Sequence, residues 1–226
     1  MAASGWFSAG SVLCNGNNLS MDKTRLEFLS DGIFAIVLTI LVIEIKLPEG
    51  VEVISNEELW HQLLILWPAI MSFALSFLVI CVFWINHTYL FHSYVKKVDR
   101  GLNLLNMLYL LFLVFIPFVA KLVGEYPYIP LAAIVYGLDI LVVGVLAKLM
   151  FRHVQKNPEL HHELPSRFLK QAHIRMTLTP VFYVLGILVA PFSIGASIFF
   201  YLFPMLFNLI PGSLDLVERL FRFEIA

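Results

Sequence analysis

The sequence predicts an all-α integral membrane protein with six transmembrane helices. Three observations carry that prediction. Of the 226 residues, 60% are apolar and only 14% charged, and the mean hydropathy is +0.85, well outside the range of soluble globular domains. Apolar runs recur at close to the roughly 20 residues that a helix needs to cross a bilayer. The basic residues collect in alternate connections between those runs.

Residues 1–21 are rich in Gly, Ser, Asn and Ala and lack a basic segment followed by an apolar core. They read as a disordered tail rather than a cleaved signal peptide. Residues 22–212 form the transmembrane domain, with spans at about 26–47, 60–85, 102–123, 129–151, 174–192 and 194–212. A polar connector from Arg152 to His173 separates the fourth and fifth spans. Only the turn Pro191 to Gly195 separates the last two, and Pro180 and Pro204 are expected to bend them, so a re-entrant pair is the alternative there. Residues 213–226 are a short tail.

Lys23, Arg25, Lys96, Lys97, Arg100, Arg152, Lys156, Arg167, Lys170, Arg175, Arg219 and Arg222 all fall on one side of this arrangement. The other side holds Lys46 and Lys121 with Glu49, Glu52, Glu57 and Glu58. The positive-inside rule then puts both termini in the cytoplasm of a multi-pass cell-membrane protein, which requires an even number of spans. The net charge of −1 provides no basic footprint for nucleic acid. Cys14 and Cys81 lie in unrelated settings and read as two free thiols.

The first span opens with Arg25, Ser30 and Asp31 and continues apolar. Ionisable groups at the edge of the hydrocarbon are costly, which marks a functional site. At 100° per residue, Ile36, Ile40 and Ile43 share one face, extended by Leu29, Ile33 and Leu47. Thr39 flanks that stripe, its hydroxyl expected to bond back to the carbonyl of Ala35. Asp31 and Ser30 point elsewhere, inward to the bundle. Trp84, Asn86 and His87 close the second span, and Asn103 and Asn106 open the third, at the same depth. Polar groups sharing a depth in a small bundle are expected to pair.

These residues carry a resemblance. Arg25-Leu-Glu-Phe-Leu29-Ser30-Asp31 is similar to the Arg-x-x-x-Phe-Ser-Asp signature of the transmembrane protein 175 potassium channels, with Leu29 at the Phe position. Gly32 to Ile45, the Phe83-Trp84-Ile-Asn86-His87 end of the second span, and Pro117-Phe with Gly124-Glu-Tyr126 resemble the prokaryotic branch. The resemblance implies a potassium-permeable cation channel with modest preference for K+ over Na+. It also implies six helices per subunit, four subunits, and a pore lined by the first helix around a central axis. Ile36 then matches the narrowest ring, and Ile40 and Ile43 the apolar rings above it, with Thr39 in support of selectivity. Arg25, Ser30, Asp31, Trp84, Asn86, His87 and Asn106 form the signature and helix-anchoring network. K+ is the permeant ion and no cofactor is implied. No Thr-Val-Gly-Tyr-Gly filter occurs in the chain, so discrimination must arise at the collars, by narrowness and dewetting.

Other features weigh less. His153, His161, His162, Glu163 and His173 suggest a metal cluster by composition only, without ligand pairs at helical spacing. Asp139, in the fourth span, is expected either to pair with Asn103, Asn208 or a tyrosine, or to join Asp31 in the alternative function, an ion- or proton-coupled transporter. Internal repeats and broken helices, the usual marks of a transporter, are not visible in the first four spans. An enzyme is not indicated, because no nucleophile and base, metal ligand set or phosphate-cradling loop appears.

Overall fold

A computed structural model describes residues 22–46 and 55–209, and every described element is helical, apart from one isolated antiparallel bridge between Val95 and His161. The α-helices are α1 (Lys23–Ile43), α2 (Asn56–Ile65), α3 (Trp67–Tyr89), α4 (Arg100–Glu125), α5 (Pro130–Lys156), α6 (Ser166–Val189) and α7 (Ile194–Leu209), with a π-helical turn at Leu90–Tyr94 and a 3-10 turn at Pro158–Leu160. Among the described residues, five helices are long and apolar enough to cross a membrane, and α7 is a shorter apolar helix. The expected tails at 1–21 and 213–226, Cys14, Leu47, Glu49, Glu52, Arg219, Arg222 and the end of the sixth span lie outside the described residues.

Two boundaries differ from the sequence reading. The run 60–85 is divided at Leu66 between α2 and α3, with Pro68 in the first turn of α3. Proline has no N–H to continue the ladder, and the chain restarts there as a new helix. Helix α2 has its own start, a capping box in which Ser55 Oγ accepts from Glu58 N and Glu58 Oε2 accepts from Ser55 N. The connector is also shorter than expected. Helix α5 continues past its apolar stretch to Lys156, and α6 begins at Ser166, placing Arg167, Lys170 and Arg175 on α6.

That shortened connector is stitched to the one between α3 and α4. Lys96 N donates to Leu160 O at 2.6 Å, His162 N donates to Tyr94 O at 2.9 Å, and Tyr94 stacks on His161 with ring centroids 4.9 Å apart. Asp99 caps α4 by accepting from Leu102 N at 2.8 Å, and its carboxylate meets His153 Nε2 at 2.9 Å. Burial pushes the Asp99 carboxyl upward, but the Leu102 amide and His153 outweigh it and hold the group below the usual carboxylate range. Its stabilising contribution is therefore present above the ordinary carboxylate pKa and is lost as pH falls through the depressed one. Asp99→Asn, which keeps a capping oxygen, is expected to flatten the acid side of a melting-temperature profile taken below about pH 5. Asp99→Ala is expected to cost about 1 kcal/mol at neutral pH.

Helices α4 and α5 form a long hairpin, α6 and α7 a second, and α1 lies against α3 and α4. Close approach rests on small residues, as is usual between membrane helices. Ser72 Oγ donates to Ala120 O, joining α3 to α4. Buried Tyr201 on α7 lies over Gly137 and Gly186 and donates to Ala133 O at 3.0 Å. A Cβ on Gly186 would overlap the Tyr201 ring, while one on Gly32 of α1 meets nothing within 4 Å. Gly186→Ala is therefore expected to cost about 1–3 kcal/mol and Gly32→Ala far less, measured as thermal unfolding in detergent.

Candidate functional site

Helix α1 starts at Asp22, whose side chain accepts from Thr24 N at 3.1 Å. Its buried positions are Leu26, Ser30, Phe34, Val37 and Leu41, one stripe at steps of three and four. On the same helical wheel the isoleucine stripe lies roughly 110° to one side of that buried centre, Asp31 about 100° to the other, and Thr39 opposite it.

Three buried polar side chains fasten the inner face. Asn106 Nδ2 donates to Ser30 Oγ at 3.1 Å, and Ser30 Oγ donates to Leu26 O at 2.9 Å. Asn106 Oδ1 lies 2.8 Å from His87 Nε2. Because the amide nitrogen is committed to Ser30, the oxygen accepts, and His87 carries its proton on Nε2. The His87 ring stacks between Phe91 and Tyr109, at centroid distances of 4.5 and 5.5 Å, and touches Phe34 at 5.6 Å. Ser30, Asn106 and His87 thus join α1, α4 and α3, all three side chains buried. Their spacing satisfies each group without water, as a nonpolar surround requires.

Of the partners expected for Asp31 in the anchoring network, Trp84, His87 and Asn106, it meets Trp84 alone, and it does not point into the bundle. It is exposed on the surface of the chain and accepts from Trp84 Nε1 at 2.9 Å, without reaching His87 or Asn106. The physical reason is that neighbouring helical positions diverge by 100°, and a neutral hydroxyl is far cheaper to bury than a carboxylate. Asn86 is half-buried and outside this network, and Arg25 is exposed with no ion pair among the described residues.

The isoleucines face away from their own bundle. Ile36 is 57% exposed, Ile40 38% and Ile43 61%. Thr39 is exposed and donates to Ile36 O at 2.8 Å rather than to Ala35. Ile33, Ile36 and Ile40 border a groove of about 360 Å³ closed on the other side by Val114, Pro117 and Phe118 of α4. At its end Glu44 meets Lys121 at 3.4 Å, a pair missed in the sequence. The signal was available: these are opposite charges near the ends of two apolar runs on the same side.

The remaining candidates disperse. Asp139 is buried in α5, its Oδ2 finds no hydrogen-bond partner among the described residues, and Asn208 bonds Thr179 instead. Asp31 is exposed on α1 while Asp139 is buried in α5. Among the described residues no three of His, Cys, Asp or Glu gather as a metal site; His153 pairs with Asp99 and His161 stacks on Tyr94. Cys81 is a free, half-buried thiol in α3.

Residues 25–117 match the family model described as endosomal/lysosomal potassium channel TMEM175. A potassium channel of Chryseobacterium sp. (strain P1-3) is 31% identical over 84% of this chain and 94% of its own length. One from Streptomyces collinus is 32% identical over 62% of this chain and 68% of its own. The fold resembles the crystal structure of a lysosomal potassium-selective channel TMEM175 homolog from Chamaesiphon minutus, with a TM-score of 0.72 and 27% identity over 82% of this chain and 95% of that one. The signature on α1, the network behind it and these likenesses agree: the chain belongs to the TMEM175 potassium channel family.

Proposed function

We propose that the chain is the subunit of a potassium-permeable cation channel, a homotetramer in which α1 of each copy lines a central pore. The observation that carries this reading is the two-sidedness of α1. One face is fastened by Ser30, Asn106 and His87, and the other leaves Ile36, Thr39, Ile40 and Ile43 exposed at the surface of their own bundle. One helix per chain supplies one wall of a lumen, so a closed ring needs several copies. The isoleucines form stacked collars that gate by narrowness and dewetting, and K+, the less strongly hydrated ion, passes Ile36 more readily than Na+. Thr39 hydroxyls line the same face. Six spans, α1 and α3 to α7, cross the cell membrane, with both termini and their tails in the cytoplasm.

The deciding experiment is the reversal potential of purified protein in a planar bilayer under K+, Na+ and H+ gradients. A current reversing near, but short of, the K+ equilibrium potential is expected. No current in any gradient ends the reading. Asp31, on the α3 side of α1, is assigned to assembly and gating through Trp84. Asp31→Ala is expected to lower the tetramer fraction or open probability while keeping the K+ to Na+ ratio. Intact tetramers with altered ion preference would reassign Asp31 to the ion path.

A further inference from the structure

Helix α2 is left uncovered by its own bundle, and none of its residues is buried. At 100° per residue, Leu59, Leu63, Trp60 and Leu64 fall within an arc of about 140°, and all four are exposed. Glu57, His61, Glu58 and Gln62 fill the opposite arc, where Ile65 is the one apolar residue. A short helix divided in this way has two surroundings, one apolar and one wet. It also has no slack, because Leu66 is at once the C-cap of α2 and the N-cap of α3.

The first turn of α3 fixes where those surroundings are. Ala69 of that turn borders a hollow together with Glu44, Lys121 and Glu125, and Lys121 pairs with both glutamates, at 3.4 and 3.8 Å. A Cβ on Gly124 would come within 3.0 Å of Ala69 Cα, so the end of α4 lies against the start of α3. Charges gathered at one level of otherwise apolar helices mark the edge of the hydrocarbon. Aromatic side chains mark it too: Trp67 opens α3, and Tyr126 and Tyr128 follow α4, all exposed. Trp and Tyr collect at that depth because each joins an apolar body to a polar tip. Helix α2 directly precedes Trp67, and so ends at the level of the headgroups.

We infer that α2 lies on the membrane surface opposite the basic connections, with Leu59, Trp60, Leu63 and Leu64 sunk about 5–10 Å into the boundary between headgroups and acyl chains. Its partner is a zwitterionic lipid surface, of the phosphatidylcholine class. Charge selects that class: α2 carries Glu57 and Glu58 and no lysine or arginine, so an anionic surface adds no attraction and repels both carboxylates. The apolar stripe alone holds the helix down. Through Leu66 the seat of α2 in the leaflet is passed directly to α3, which farther along carries Trp84, bonded to Asp31 of α1. The lipid contact does not depend on the channel reading above.

The test places single cysteines, one at a time from Glu57 to Ile65, in full-length protein carrying Cys14→Ala and Cys81→Ala. Each is nitroxide-labelled and the protein is reconstituted in phosphatidylcholine liposomes. Collisions with oxygen, which concentrates among acyl chains, are compared with collisions with a water-soluble nickel chelate. Oxygen exposure is expected to peak at 60, 63 and 64 and nickel exposure at 58, 61 and 62, with the helical period. Adding phosphatidylglycerol is expected to leave that profile unchanged, and Trp60→Glu with Leu63→Glu to abolish the oxygen exposure at 64. The substituted side chains touch none of the buried core, and an unchanged melting temperature checks that the bundle stays folded. Nickel exposure at every position, or oxygen exposure at every position, overturns the inference. Exclusion of both reagents from 60, 63 and 64 also overturns it and puts a second copy of the chain against the stripe. So does a profile that forms only with phosphatidylglycerol. A periodic profile in protein that passes no planar-bilayer current removes the channel reading and leaves this one standing.

Discussion

Ile36→Asn is expected to raise single-channel conductance roughly three- to tenfold and to bring the K+ to Na+ permeability ratio close to one. The argument starts from water. An apolar ring excludes it, and the ion's cost of entry is the hydration it gives up there. A carboxamide from each subunit offers hydrogen bonds worth about 1 kcal/mol net apiece, and lowering a barrier by 1.36 kcal/mol is about tenfold in rate. The same polar lining removes the penalty that separates K+ from Na+, so conductance and discrimination move in opposite directions. Ile36→Val, which keeps the ring dry and slightly widens it, is expected to change conductance while keeping most of the preference. Unchanged conductance and ratio in the Asn variant would place the constriction elsewhere.

Asn106→Leu is expected to be among the most damaging substitutions in the bundle. It breaks the link that runs from Ser30 of α1 through α4 to His87 of α3, leaving the Asp31–Trp84 bond in place, and leaves the His87 Nε2 proton buried without an acceptor. The cost of an unsatisfied buried donor is about 1–3 kcal/mol. Ser30 keeps its bond to Leu26 O, so His87 carries most of the loss. A double-mutant cycle isolates it: His87→Phe on the Asn106→Leu background is expected to regain stability, since apolar groups on both sides leave nothing unpaired. Additive costs in thermal unfolding would refute a direct bond. Channel current with a reduced open probability in Asn106→Leu would tie the clamp to gating.

Much of the site was legible because helical geometry is local. The azimuths of Ile36, Ile40 and Ile43 follow from spacing alone, and the exposed face of α1 matches them. The common depth of Ser30, His87 and Asn106 also followed from span lengths, and these side chains do bond. What spacing could not decide was which of two adjacent residues would be buried. Ser30 won over Asp31 through desolvation cost, a tertiary quantity. Pro68 was visible in the sequence, yet hydropathy averaged across it and merged α2 with α3. The ends of α5 and α6 were missed for the opposite reason. Polar turns such as Phe151–Lys156 and Ser166–His173 remain helical beyond the apolar stretch, which a hydropathy window cannot register.

The tethers of α1 to α4 have a mechanical consequence. Ser30 holds one end through Asn106, and Glu44 holds the other through Lys121. A rod fixed at both ends does not swing like a door; it bows, with its greatest deflection halfway along. Halfway between positions 30 and 44 is position 37, so the widest excursion is expected one residue from the collar proposed at Ile36, opposed by the packing of buried Phe34, Val37 and Leu41 rather than by either end.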